Sequence, residues 1–177
     1  MRELLVKFIE EYNIKDNAVC LDIWSWSGNE VVYLLWKWYQ VIAIDGEKMS
    51  EEVILPRISD KEKEKFEFKQ QKIENLKLPQ NIDLAYTFYT LQFCNHKHFD
   101  TTIKMIQDSI IPGWFFVGNF LWIHDDWKHL IIKKKEEIEN IFSDFIILSI
   151  KEKEYDRQSK SNISKHRHEI EIIAQKK

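Results

Sequence analysis

The chain has 177 residues, of which 44% are hydrophobic and 31% charged, with a formal net charge of -3. That length fits one domain, residues 1–177, able to bury a core without disulfides or metals, and the net charge gives no electrostatic reason to expect a nucleic-acid partner. Two cysteines, Cys20 and Cys94, are too few for a disulfide framework; the charged N-terminus lacks a signal core and no apolar run approaches the length of a membrane span, so the expected setting is cytoplasmic, without a membrane partner.

In chain order, residues 1–14 place Leu4, Leu5, Phe8, Ile9 and Tyr12 at helical spacing and predict an amphipathic helix. Ala18 to Ile23 is a short apolar run, as in a parallel strand covered on both faces. A loop at 24–28 and a helix over 29–37 follow, and then a second buried strand from Gln40 to Asp45. Strand, turn, helix and strand make 18–45 a βαβ unit. Residues 47–65 read as helical, with a solvated Lys/Glu run at 60–65, before a third strand near Phe66 to Gln70. Ile82 to Phe93 holds a fourth strand and its exit loop; Thr101 to Ile110 is helical; Pro112-Gly113 predicts a turn into a fifth strand from Phe115 to Phe120; and 133–142 is a further helix. Phe145 to Ile150 and Glu169 to Ala174 are β-rich runs joined by a polar stretch at 151–166, an antiparallel hairpin spanning 145–177.

In an open parallel sheet, ligands bind where the strand order reverses, so the 24–28 loop and Asp45 are the first candidates. A tight loop after strand one lets backbone approach a nucleotide, and a carboxylate ending strand two can accept from both ribose hydroxyls.

Leu21-Asp22-Ile23-Trp24-Ser25-Trp26-Ser27-Gly28 resembles the D-x-G-x-G-x-G motif of class I S-adenosylmethionine-dependent methyltransferases with its first two glycines replaced. Val41 to Asp45 resembles that family's second strand, Ile82 to Tyr86 its fourth, and Ile111 to Gly118 its L-x-P-G-G-x-x-x-G segment. Asp125-Asp126-Trp127 and Lys165-His166-Arg167-His168 are similar to segments of the small, tellurite-resistance-like members. The resemblance implies a doubly wound, Rossmann-like α/β fold with a seven-stranded, mostly parallel sheet and a C-terminal antiparallel hairpin. It also implies methyl transfer from S-adenosyl-L-methionine to a small-molecule acceptor by a monomer or weak homodimer. In the cofactor set it implies, Asp22, Trp24, Ser25, Trp26 and Gly28 surround the methionine part, and Asp45 with Gly46 holds the ribose. Ile73 and Glu74 flank the adenine and Thr87 faces the methyl group. Tyr89, His124 and Asp125 are the candidates for a catalytic acid or base. Catalysis in such enzymes is mostly positioning, because the sulfonium is already a strong electrophile.

The tryptophans are anomalous. Usual glycine content of about 7% gives roughly 12 at this length, yet the chain has 4 glycines and 7 tryptophans. Trp24, Trp26, Trp38, Trp114 and Trp122 all stand where the resemblance expects glycine, and Trp38 also stands where a helix needs a left-handed cap. One cause covers all five: UGA written as tryptophan in a lineage that reads it as glycine. Trp127 fits its own motif. The competing reading is a degenerate methyltransferase whose pocket is filled by indoles, a cofactor-free binding module. A nicotinamide-dependent oxidoreductase also uses a glycine loop and a strand-end acid, although Asp22 and the hairpin end argue against it.

Cys94-Asn95-His96-Lys97-His98 lacks a fourth ligand, so no metal site is assigned. Phe88, Phe93 and Phe99 read as core or pocket wall rather than a base-stacking platform, and His166 and His168 alternate at a strand start, one toward each environment.

Overall fold

A computed structural model of the protein describes residues 3–12, 14–158 and 164–177. Seven strands form one sheet: β1 (Val19–Ile23), β2 (Gln40–Asp45), β3 (Phe66–Gln70), β4 (Ile82–Thr87), β5 (Ile110–Leu121), β6 (Phe145–Gln158) and β7 (Ser164–Lys176), in the order β3-β2-β1-β4-β5-β7-β6. The first five pair in parallel, whereas β7 runs antiparallel to both β5 and β6.

Side chains alternate across a strand, and here both faces are dry. Leu21 and Ile23 join one core cluster and Cys20 the other; Val41 and Ala43 pack opposite to Ile44. Helices α1 (Glu3–Glu11) and α2 (Asn29–Trp36) cover one face through Leu5, Phe8, Val31, Leu34 and Leu35. Helices α5 (Phe99–Ser109) and α6 (Lys135–Ile141) cover the other through Ile103, Ile106 and Ile138, with Phe142 beside them. This is the doubly wound arrangement that the resemblance implies, with the apolar runs as its buried strands.

Boundaries differ from the sequence reading where local signals compete. The segment 47–65 breaks into α3 (Met49–Ile54), a 3-10 turn at Leu55–Arg57 and α4 (Asp60–Lys63), because Pro56 interrupts the helix and Ser59 restarts it with a capping box to Glu62. Pro112-Gly113 is not a turn outside the fifth strand but a bulge within it. Ile82 pairs with Ile110 and Leu84 with Phe115, and Gly113 absorbs the excess chain at φ 86°. The hairpin strands extend far past the apolar runs, through Lys151↔Glu171 and Lys153↔Glu169 pairs, since β6 is an edge strand whose residues from Lys151 onward are largely solvated. The middle of the polar stretch, 159–163, lies outside the described residues, as do residues 1, 2 and 13 of the first predicted helix.

At the end of α2, Trp38 donates its N–H to the Leu35 carbonyl (2.8 Å) and Tyr39 to that of Leu34 (3.2 Å), a Schellman motif whose left-handed position is Trp38 at φ 65°. No helix among the described residues is long and apolar enough to cross a membrane.

Candidate active site

The strand order reverses between β1 and β4, and chain leaving these two strands diverges around a cavity of about 600 Å³. Asp22 of β1 and Tyr86 of β4 line it, together with the loop from Trp24 to Ser27 and the start of α2 at Asn29 and Glu30. Phe88, Tyr89, Phe93 and Trp127 supply aromatic wall, and Arg157 and Arg167 enter from the hairpin.

The loop is folded back on the end of β2. Trp24 donates its N–H to the Ile44 carbonyl (2.7 Å), Trp26 to Asp45 Oδ2 (2.9 Å) and Gly28 to the Ser25 carbonyl (2.6 Å). That path requires left-handed backbone at alternate residues: φ is 72° at Trp24, 38° at Trp26 and 63° at Gly28. Gly28 has no room for a side chain either, since a Cβ would stand 2.1 Å from Ile54 Cγ1. Burial pushes the Asp22 carboxyl well above the ordinary carboxylate range, with the charges of Glu30 and Asp45 adding to the effect.

The opposite wall is organised by Asp125. This fully buried carboxylate accepts from the Trp127 N–H (2.8 Å), the His168 N–H (3.1 Å) and Arg167 Nη1 (3.1 Å), joining the segment after β5 to the start of β7. The guanidinium of Arg167 lies 3.5 Å from the Trp127 ring centroid. Tyr89 stands beside it at φ 52°, its N–H on Asn119 Oδ1 (2.8 Å) and its hydroxyl 3.1 Å from that of Tyr155, which donates to Glu169. Burial first, then Glu169, raises the Tyr89 phenol far above its ordinary range, so it stays a neutral hydrogen-bonding group.

Solved structures share this architecture. TehB from Haemophilus influenzae matches with a TM-score of 0.84 and 16% identity over 100% of this chain, which spans 63% of that one. A S-adenosylmethionine-dependent methyltransferase from Methanosarcina mazei matches at 0.72 and 18%, covering 99% of this chain and 98% of its own. The N-methyltransferase NodS from Bradyrhizobium japonicum, solved with S-adenosyl-L-homocysteine, matches at 0.72 and 12%, covering 97% of this chain and 83% of its own. The chain has the class I methyltransferase fold. The antiparallel β7 inserted between β5 and β6 separates this methyltransferase fold from the 3-2-1-4-5-6 order of dinucleotide-binding dehydrogenases. No protein-family model matches the sequence, and no curated protein matches it.

Within this methyltransferase fold, the structure brings Asp22, Trp24, Ser25, Trp26 and Tyr89 together around the cavity. Gly28 lies just behind them as the N-cap of α2. Asp45 is 2% exposed, and its two oxygens take the N–H groups of Trp26 and Glu47, both at 2.9 Å, instead of lining the space. Gly46, Ile73, Glu74 and Thr87 are likewise outside the lining. Of the catalytic candidates, Asp125 is enclosed by its three donors, and His124 sits outside the cavity with its ring toward Glu154 (3.1 Å). Phe88 and Phe93 are cavity wall and Phe99 is core. Cys94 is buried with its thiol 3.5 Å from the Thr102 hydroxyl.

The sequence reading did not single out Arg157 and Arg167 as cavity residues, nor the grouping of His124, His166 and His168 with the acids of β6. The signal was available as two alternating runs, Glu152-Lys153-Glu154-Tyr155-Asp156 and His166-Arg167-His168, which pair across β6 and β7. One parity (Tyr155, Arg157, Arg167) reaches the active-site side and the other forms a His/carboxylate cluster.

Proposed function

We propose that this protein transfers the methyl group of S-adenosyl-L-methionine to a small acceptor, with the cofactor in the cavity at the β1/β4 reversal. The supporting observation is the coincidence of that cavity with a left-handed loop following Asp22, at the strand ends where this fold presents ligands. The chain's own residues would hold the cofactor through close approach of the 24–27 loop backbone and through the Asp22 carboxylate, which a bound ammonium would draw back to its charged form. The aromatic wall would exclude water, and Arg157 and Arg167 would orient an acceptor carrying negative charge.

The same reading includes glycine as the native residue at positions 24, 26 and 38. Left-handed backbone costs a residue with a Cβ roughly 1–2 kcal/mol and glycine almost nothing. Three tryptophans take that conformation, while only Asn17 and Tyr89 do so among the other described non-glycine residues. Trp114 and Trp122 have ordinary backbone, so geometry gives no such reason at those two positions.

The second reading, a cofactor-free binding module, is favoured by one observation: with tryptophan in place, Trp24 and Trp26 are among the residues that line the cavity. Titration with S-adenosyl-L-homocysteine separates the two. The enzyme reading requires saturable binding by Trp24→Gly/Trp26→Gly protein and UGA codons at these positions in the source gene. UGG codons together with no binding establish the module.

A further inference from the structure

On the side of the hairpin away from the cavity, three imidazoles converge on one carboxylate oxygen. Glu154 Oε1 lies 3.1 Å from His124 Nδ1, 3.0 Å from His166 Nε2 and 3.9 Å from His168 Nδ1. Ligand atoms of His124, Glu154 and His168 all fall within 4.8 Å of one another, the one such group among the described residues. They come from three places in the chain: the segment after β5, β6 and β7.

We infer that His124, Glu154 and His168 form a binding site for a borderline divalent transition ion of the Zn²⁺ class, with water completing the coordination. Two imidazole nitrogens and a carboxylate oxygen are a donor set suited to that ion. The outer contact is that of a ligating histidine: His168 places its other ring nitrogen, Nε2, 2.7 Å from Glu152. A carboxylate on the distal nitrogen fixes the tautomer so that the remaining lone pair faces the ion. His168 is held further by stacking on Trp122 (5.7 Å) and is 1% exposed, a rigid base, while the half-exposed His124 leaves an entry path. Binding would replace the 3.3 Å hydrogen bond from the His124 N–H to His168 Nδ1. It would tie the segment after β5 to the hairpin, whose intervening residue Arg167 serves the cavity. The site does not rest on the methyltransferase reading.

The test uses the full chain without a polyhistidine tag, stripped of metal and titrated with Zn²⁺ by calorimetry and with Co²⁺ by visible absorption. The site predicts one equivalent bound, an intense tetrahedral Co²⁺ spectrum and a raised melting temperature. Glu152→Gln, an exposed outer partner, is expected to weaken binding about 10–100-fold. His124→Ala and Glu154→Gln, both at exposed positions, abolish the Co²⁺ spectrum while circular dichroism stays native. No saturable binding by the unaltered protein overturns the site, and so does binding that survives in the His124→Ala/Glu154→Gln double variant.

Discussion

Trp26, held at φ 38°, donates its backbone N–H to the Asp45 carboxylate at 2.9 Å, so the loop after β1 is anchored to the end of β2 through a residue in glycine's conformational territory. Trp24 at 72° and Trp38 at 65° are strained in the same sense. Each Trp→Gly exchange at these positions is therefore expected to stabilise the fold by about 1–2 kcal/mol, less the extra chain entropy glycine has when unfolded, about 0.5–1 kcal/mol. Trp36→Gly, at the last helical position of α2, where the backbone is right-handed, is expected to destabilise instead by less than about 1 kcal/mol. Urea unfolding of the four single variants checks the contrast in sign.

Gly28 combines the same backbone demand with contact. At φ 63° and with Ile54 Cγ1 2.1 Å from a would-be Cβ, Gly28→Ala carries a conformational penalty of about 1–2 kcal/mol and forces Ile54 to repack at about 1–3 kcal/mol more. The double variant Gly28→Ala/Ile54→Ala is expected to show coupling, because the smaller side chain removes the clash and leaves only the backbone term. Chemical denaturation of the cycle measures this.

Asp125, a candidate acid or base by the resemblance, is enclosed by hydrogen-bond donors in the structure. It accepts from two backbone N–H groups and from the largely buried Arg167. Asp125→Ala leaves that guanidinium without its carboxylate and is expected to cost about 3–5 kcal/mol, whereas Asp125→Ala/Arg167→Met recovers part of the loss. Equal destabilisation of the single and double variants would show that the backbone contacts, not the ion pair, dominate.

The buried parallel strands were legible because apolar runs such as Ala18 to Ile23 suit strands covered on both faces, whereas the doubly wound order came from the resemblance. The left-handed positions 24 and 38 were legible because motif and cap spacing mark them. The cavity's far wall was less legible: Arg167 reaches it through β7 pairing with β6, and the alternation in the two polar runs marks their faces without fixing their register. The orientation of Asp45 was illegible for a related reason, since its partners are main-chain donors from Trp26 and Glu47, and loop backbone geometry leaves little trace in residue type.

Asp22 supplies a pH test. Burial, with Glu30 and Asp45, holds its folded-state carboxyl well above the unfolded value, so the folded protein favours the protonated form. The stability tied to this group is fully present below the unfolded value and is lost as pH rises through the interval up to the folded one. Asp22→Asn mimics the protonated form, and is expected to raise the unfolding midpoint relative to the unaltered protein at pH 7, with the difference shrinking toward zero as both are taken below pH 4. Cofactor binding runs in the opposite direction: an ammonium beside Asp22 favours the carboxylate, so the same substitution should weaken S-adenosyl-L-homocysteine binding in the Trp24→Gly/Trp26→Gly background. A residue that stabilises the empty fold when neutralised and weakens the ligand when neutralised is one whose charge serves the site rather than the core. Paired unfolding and titration experiments on Asp22→Asn detect that reversal, and a variant that is more stable but binds unchanged would place the cofactor's ammonium elsewhere.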